Sequence, residues 1–263
     1  MTEWLVVVVL GIIEGITEFL PISSTGHLLL AEQVMPFPQT DTFLVVIQGG
    51  AVAAVVLIFH ERVRQLLGAW RDAAARDYLA KLSVAFGLTA AGGLVLKKLG
   101  FELPETAPPV ALALLVGGVL FIGVERWLKG RPHGEAITWA MALAMGGAQL
   151  VAAVFPGTSR SGATILVALA MGLTRPVAIE FSFLLGVPTL LAAGALKLYG
   201  YLTEPGAPPM NWSLLALGTV VSAVTAFIAV RWLLRYVQSH TFEGFGWYRV
   251  VLGLLVVATA LAA

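Results

Sequence analysis

Runs of about twenty residues with almost no charge recur along the whole 263-residue chain, near 41–59, 82–99, 108–128, 136–155, 178–199, 211–234 and 246–262. About 20 apolar residues is what a helix needs to cross the hydrocarbon core of a bilayer. Backbone facing lipid must satisfy its own hydrogen bonds, which leaves helices or a closed barrel. The runs are long and show no alternating ten-residue segments, so they read as helices. Only 12% of residues are charged, against about 25% in soluble domains, and 59% are hydrophobic. Mean hydropathy is +0.90. A soluble fold of this size could not hide that apolar surface. Ordinary soluble enzymes, nucleic-acid binders and disordered chains are thereby excluded. The net charge of +1 points to no acidic or basic partner, and the lack of cysteine removes disulfides and thiol chemistry. The N-terminal run has no basic region or small-residue cleavage site, so it is expected to be retained.

Two further stretches, 4–34 and 156–173, are broken by Pro, Gly, Ser and charge. Each is expected to enter the membrane as a helix–loop–helix, which is tolerated only where the loop lines protein or a water-filled cavity. Lys and Arg collect in 60–81, 126–131 and 231–235, whereas 100–110 and 200–210 hold none. The first set is therefore expected in the cytoplasm and the second outside, with residues 36–40 and the C-terminus also outside. Lys97 and Lys98 run against this scheme. Each broken stretch is followed by an apolar span that begins at a phenylalanine, and the two enter from opposite sides. The expected architecture is a single all-α polytopic bundle over 1–263. Its two re-entrant segments form an inverted repeat with halves of roughly 1–128 and 129–263.

Ionisable groups inside a bilayer are costly and mark function by default. Glu14 and Glu18 are spaced i,i+4, so a helix puts both carboxylates on one face. Two like charges there call for a cation, a shared proton or a positive side chain between them. Pro21 ends the helix, and Ser23, Ser24, Thr25 and His27 follow at once. The plainer readings are a helix end in water, helix caps and a core histidine. In the second stretch Gly157, Ser159, Arg160, Ser161, Gly162 and Thr164 run directly into an apolar helix. Free backbone N–H groups and a positive helix end make an anion site, and a guanidinium adds a fork suited to phosphate oxygens. The plainer reading is an Arg–Glu pair that ties the two loops together. Oxygen ligands from Glu14 and Glu18 would favour Mg²⁺ or Ca²⁺.

The stretches EGITEFLPISSTGH and PGTSRSGAT resemble the undecaprenyl pyrophosphate phosphatase family, the bacitracin-resistance type of integral membrane phosphatase. The likeness extends through residues 43–56 and 180–193 and is nearly full-length. It implies hydrolysis of undecaprenyl pyrophosphate to the monophosphate, with a divalent cation, at a site open to the outer face of the bacterial cytoplasmic membrane. By the same resemblance Glu14 and Glu18 match the acidic motif, and Ser24 and His27 match the nucleophile and base positions. Ser159, Arg160, Ser161 and Thr164 match the phosphate-binding motif. The residues themselves leave the attacking group open between Ser24 with His27 as base, His27 itself, and water on the cation, with Ser24 preferred.

The type-2 phosphatidic acid phosphatases also use a Ser–Arg pair, but their histidine six residues after the arginine is Leu166 here. A carrier or flippase of prenyl phosphate lipids is the alternative from another class. It would use an inverted repeat but has no need of the Ser/His/Glu set. Trp and Tyr residues, Tyr248 included, read as interfacial belts, and Glu180 as a helix-end charge. The apolar space between neighbouring spans is expected to take a prenyl tail.

Overall fold

The computed structural model describes residues 2–35, 41–101, 106–207 and 209–262, and these contain eleven α-helices. In chain order they are α1 (Glu3–Thr17), α2 (Ser24–Val34), α3 (Asp41–Ile58), α4 (His60–Leu67), α5 (Ala73–Lys98), α6 (Ala107–Leu128), α7 (Trp139–Val154), α8 (Arg160–Ala170), α9 (Arg175–Thr203), α10 (Trp212–Tyr236) and α11 (Glu243–Ala262). Helices α5, α6, α9, α10 and α11 are long and apolar enough to cross a membrane, and α3 and α4 form a pair bent by 81°. Their outer faces carry Val220, Val224 and Ile228 of α10 and Val251, Leu254 and Leu255 of α11, all exposed. Such a surface suits lipid as solvent.

Local chemistry sets the ends. The Asp72 carboxylate accepts from the Ala74 and Ala75 amides at the start of α5, and Asn211 accepts from Leu214 at the start of α10. Prolines stand in the first turns of α6 and α9, where a missing N–H costs nothing. Close approach depends on small residues. A Cβ on Gly118 of α6 would lie 2.7 Å from the Gly246 carbonyl oxygen of α11. One on Gly15 of α1 would lie 2.0 Å from the Thr225 hydroxyl of α10. Small residues at such crossings let helix backbones pack by dispersion, the main attraction available between helices in lipid.

Several polar contacts gather at one end of the bundle. Arg62 pairs with Glu180 at 2.8 Å, and the buried Glu125 carboxylate pairs with Arg175 while accepting from the Phe242 amide. Arg126 meets Glu243 at 3.4 Å. These bring the end of α6 and the starts of α9 and α11 together, on the side where the basic residues lie. At the opposite end, Val6, Val7 and Leu10 of α1 pack with Phe43, Ile47 and Leu215.

Two expected boundaries move. Helix α5 begins at Ala73, so much of the 60–81 stretch is helical rather than loop. The 136–155 run is not a full span: α7 has 16 residues, about 24 Å, and stops before Pro156. It is the first arm of a helix–break–helix whose second arm is α8, so 156–173 does not hold both arms. A hydropathy window counts apolar residues and misses the proline that ends the helix. Glu180, read as a helix-end charge, is held by the Arg62 ion pair. Residues 36–40, expected outside, are not among the described residues.

Candidate active site

The breaks between α1 and α2 and between α7 and α8 share one local design. Ser23 and Ser159 are the described non-glycine residues with positive φ, at 73° and 67°. Each caps the short helix that follows, its hydroxyl accepting from the amide of a glycine three residues on, Gly26 or Gly162. The sequences Ser-Ser-Thr-Gly and Ser-Arg-Ser-Gly are thus equivalent turns, with Ser24 and Arg160 opening α2 and α8. L-residues in such backbone regions cost about 1–3 kcal/mol and persist only where the surroundings enforce them.

Both opening residues reach the same carboxylate. Ser24 Oγ donates to Glu18 Oε2 at 3.0 Å, and Arg160 Nη2 donates to Glu18 Oε1 at 3.0 Å. The guanidinium lies over the Phe19 ring at 5.0 Å. Its Nε and Nη1 are buried and have no hydrogen-bond partner. Helix α9 passes this group with a glycine: a Cβ on Gly186 would lie 2.1 Å from Arg160 Nη1. One turn back on α1, Glu14 is fully buried; among the described residues neither of its carboxylate oxygens meets hydrogen-bond geometry, and the Gln48 and Glu18 side chains are its polar neighbours. An ion pair plus an unpartnered carboxylate, enclosed in apolar helices, is an arrangement that stability alone does not favour.

The other expected residues divide. His27 does not pair with Ser24. Its Nδ1–H donates to the Ser23 carbonyl at 2.7 Å, since a carbonyl only accepts, which leaves Nε2 to accept from the Tyr248 hydroxyl at 2.6 Å. Ser161 is buried, with its hydroxyl donating to the Leu20 carbonyl at 3.2 Å. Thr164 bonds the Arg160 and Ser161 carbonyls and the Ser182 hydroxyl. Both therefore stitch the second break to its surroundings rather than presenting hydroxyls to a ligand. Gly157, at φ 88°, turns the chain against α6, where a Cβ would meet the Val110 carbonyl oxygen at 2.7 Å. Thr25 stands half-buried on α2.

Arg249 of α11 and Tyr248 beside it are site residues that the sequence reading did not select. Arg249 is 0% exposed, and its guanidinium donates to the carbonyls of Pro21, Ala113, Gly157 and Thr158 at 2.9–3.3 Å. It clamps the backbone of both breaks. The available signal was a lone arginine within an apolar span, which intramembrane charge rules flag.

Fold and site together define a multi-pass, all-helical membrane protein with a carboxylate–hydroxyl–guanidinium centre inside the bundle. Residues 7–255 match the family described as bacitracin resistance protein BacA, and the chain belongs to that family. A protein of Rhizobium johnstonii called undecaprenyl-diphosphatase is 53% identical over 96% of this chain and 95% of its own length. Proteins with the same name from Rhizobium etli, 53% identical, and Xanthomonas euvesicatoria, 45% identical, cover at least 94% of both chains.

Proposed function

We propose that the protein hydrolyses undecaprenyl pyrophosphate to undecaprenyl phosphate and inorganic phosphate, recycling the lipid carrier of cell-wall synthesis and so supporting bacitracin resistance. The relatives' names supply the substrate. One observation carries the chemistry: the Glu18 carboxylate is bonded at once to a serine hydroxyl and to a guanidinium that keeps two buried donors free.

Ser24 Oγ attacks the terminal phosphorus while its proton passes to Glu18, 3.0 Å away. The bond from that phosphorus to the bridging oxygen breaks, and undecaprenyl phosphate departs. Water then attacks the phosphoserine, Glu18 returns its proton to Oγ, and phosphate leaves. The free donors of Arg160 meet negative charge as it develops, in a site where low dielectric strengthens each contact. Glu18 takes the base role because the hydroxyl of Ser24 points to it, whereas His27 is engaged by Ser23 and Tyr248.

The donor set fits a hard divalent cation, Mg²⁺ or Ca²⁺. Glu14 brings two unpartnered oxygens beside Glu18, and among the described residues no group of three or more His, Cys, Asp or Glu is placed to hold a metal ion, so substrate oxygens would have to complete the shell. Mg²⁺ suits such a site, since it commonly binds one or two carboxylates together with substrate phosphates. Glu14 and Glu18 would hold the ion, which would supply further charge neutralisation at the pyrophosphate oxygens. We place the protein in the bacterial cytoplasmic membrane with the site open to the outer face, as the distribution of basic residues supports. Its partners are then the polyprenyl lipid and the bilayer, with no nucleic acid.

The test is phosphate release from a long-chain prenyl pyrophosphate by purified protein, with and without EDTA, beside Ser24→Ala and Glu14→Gln/Glu18→Gln. Expected are EDTA-sensitive release and a loss of about 10²–10⁴-fold in each variant. Lipid binding without any release would favour the carrier alternative, which the opposed entry of the two breaks expected from the sequence would suit.

A further inference from the structure

On the lipid-facing flank of the bundle, an apolar groove of about 740 Å³ runs between α1, α10 and α11. It begins at Ile16 and Leu20, which bracket Glu18 in the chain, and ends where α10 turns into α11. From Thr225 to Tyr236 it follows twelve residues of α10, about 16 Å. Its far wall is aromatic. The Trp232 ring lies 5.1 Å from Tyr236 and 6.0 Å from Phe245, and Tyr236 lies 5.5 Å from Phe245. These mutual contacts hold the wall in shape before anything binds.

The groove joins the site through one residue. Tyr248 lines it, and the hydroxyl of Tyr248 is hydrogen-bonded to His27, three positions after Ser24. Ile228 and Trp232 are 63% and 48% exposed, so the groove opens sideways toward lipid rather than into the bundle. A ligand with an anionic head at Arg160 and Ser24 and a long apolar chain would fill both spaces at once. The head would point toward the end where α1 begins and the chain toward the basic end, as a lipid of the outer leaflet is oriented.

We propose that this groove holds the first isoprene units of the polyprenyl chain, with Trp232, Tyr236 and Phe245 as the wall that reads them. The assignment rests on the phosphatase reading for the identity of the lipid. Most of an undecaprenyl chain lies beyond a 16 Å groove and stays in the bilayer, so recognition stops after the first few units.

The experiment measures binding of farnesyl methylenebisphosphonate, which does not hydrolyse, and of methylenebisphosphonate without a tail. Titration calorimetry in lipid nanodiscs with Mg²⁺ would compare wild type with Ala229→Phe, which fills the groove, and Trp232→Ala, which removes part of its wall. Trp232 is half-exposed, so its loss leaves the core in place if Ala229→Phe fails to fold. Expected is a loss of at least tenfold for the farnesyl compound in Ala229→Phe and about fivefold in Trp232→Ala, with the tail-less compound within twofold of wild type. Trp139→Ala, on an exposed ring away from the groove, serves as the unchanged control. Wild-type farnesyl affinity in both groove variants, or equal losses for the two ligands, would overturn the assignment. If the expected pattern appears yet wild type releases no phosphate from farnesyl pyrophosphate, the groove stands and the phosphatase reading falls.

Discussion

Arg249 shows how much one side chain can decide. Among the described residues no carboxylate pairs with it, and its guanidinium instead donates to the carbonyls of Pro21, Ala113, Gly157 and Thr158. Each buried acceptor left without a donor costs about 1–3 kcal/mol. Arg249→Met keeps a long apolar stem but removes every donor, so it should lower the thermal midpoint in detergent and reduce turnover together. Arg160→Met should behave differently, because Arg160 makes a single ion pair and its remaining donors are unused. It should abolish turnover while leaving the midpoint within a few degrees of wild type. Thermal melts and phosphate release on the two variants check both halves, and equal effects would mean that the clamp and the anion contact had been wrongly separated.

The short helices α2 and α8 owe their placement to elements far along the chain. Helix α9 crosses α8 with Gly186 directly against Arg160, where a methyl group has no room unless the guanidinium moves. Gly186→Ala should therefore cost little stability, since alanine is the better helix former, yet cut phosphate release at least tenfold by displacing Arg160. Gly194→Ala, on the same helix with its nearest neighbour at 3.7 Å, should be near neutral and isolates the local effect. Helix caps are one reading of Ser23, Ser24 and Thr25 in the sequence, and the structure gives that role to Ser23 and, in the second break, to Ser159. An Arg–Glu pair between the two loops is also among the readings and is seen as Arg160–Glu18. That Ser24 joins it on the same carboxylate was not legible, because Ser24 and Arg160 come from breaks more than a hundred residues apart.

At the scale of the molecule, α4, the end of α6 and the starts of α9 and α11 share one end of the bundle through the Arg62–Glu180, Arg175–Glu125 and Arg126–Glu243 contacts. In the orientation proposed from the positive-inside rule, that end faces the cytoplasm. The chain has no cysteine, so single cysteines report sidedness directly. Lys129→Cys should resist a membrane-impermeant maleimide in spheroplasts and react only after permeabilisation, whereas Glu204→Cys should react at once. The reverse pattern would invert the orientation and put the site's opening on the cytoplasmic side.

Hydropathy, proline and glycine act over a few residues, so the sequence by itself settled the membrane class, the helices and the two polar breaks. It also singled out Glu14, Glu18, Ser24 and Arg160 as charges and hydroxyls out of place in lipid. The partners depended on the fold. His27 was turned away from Ser24 by Tyr248, Ser161 and Thr164 were absorbed into packing, and Arg249 was brought from α11 to hold both breaks. Those choices depend on how closely α6, α9, α10 and α11 approach, which glycines such as Gly118 and Gly186 permit. A close approach between helices distant in sequence leaves no periodic trace in either one, and so only the tertiary structure could assign the contacts that make the site.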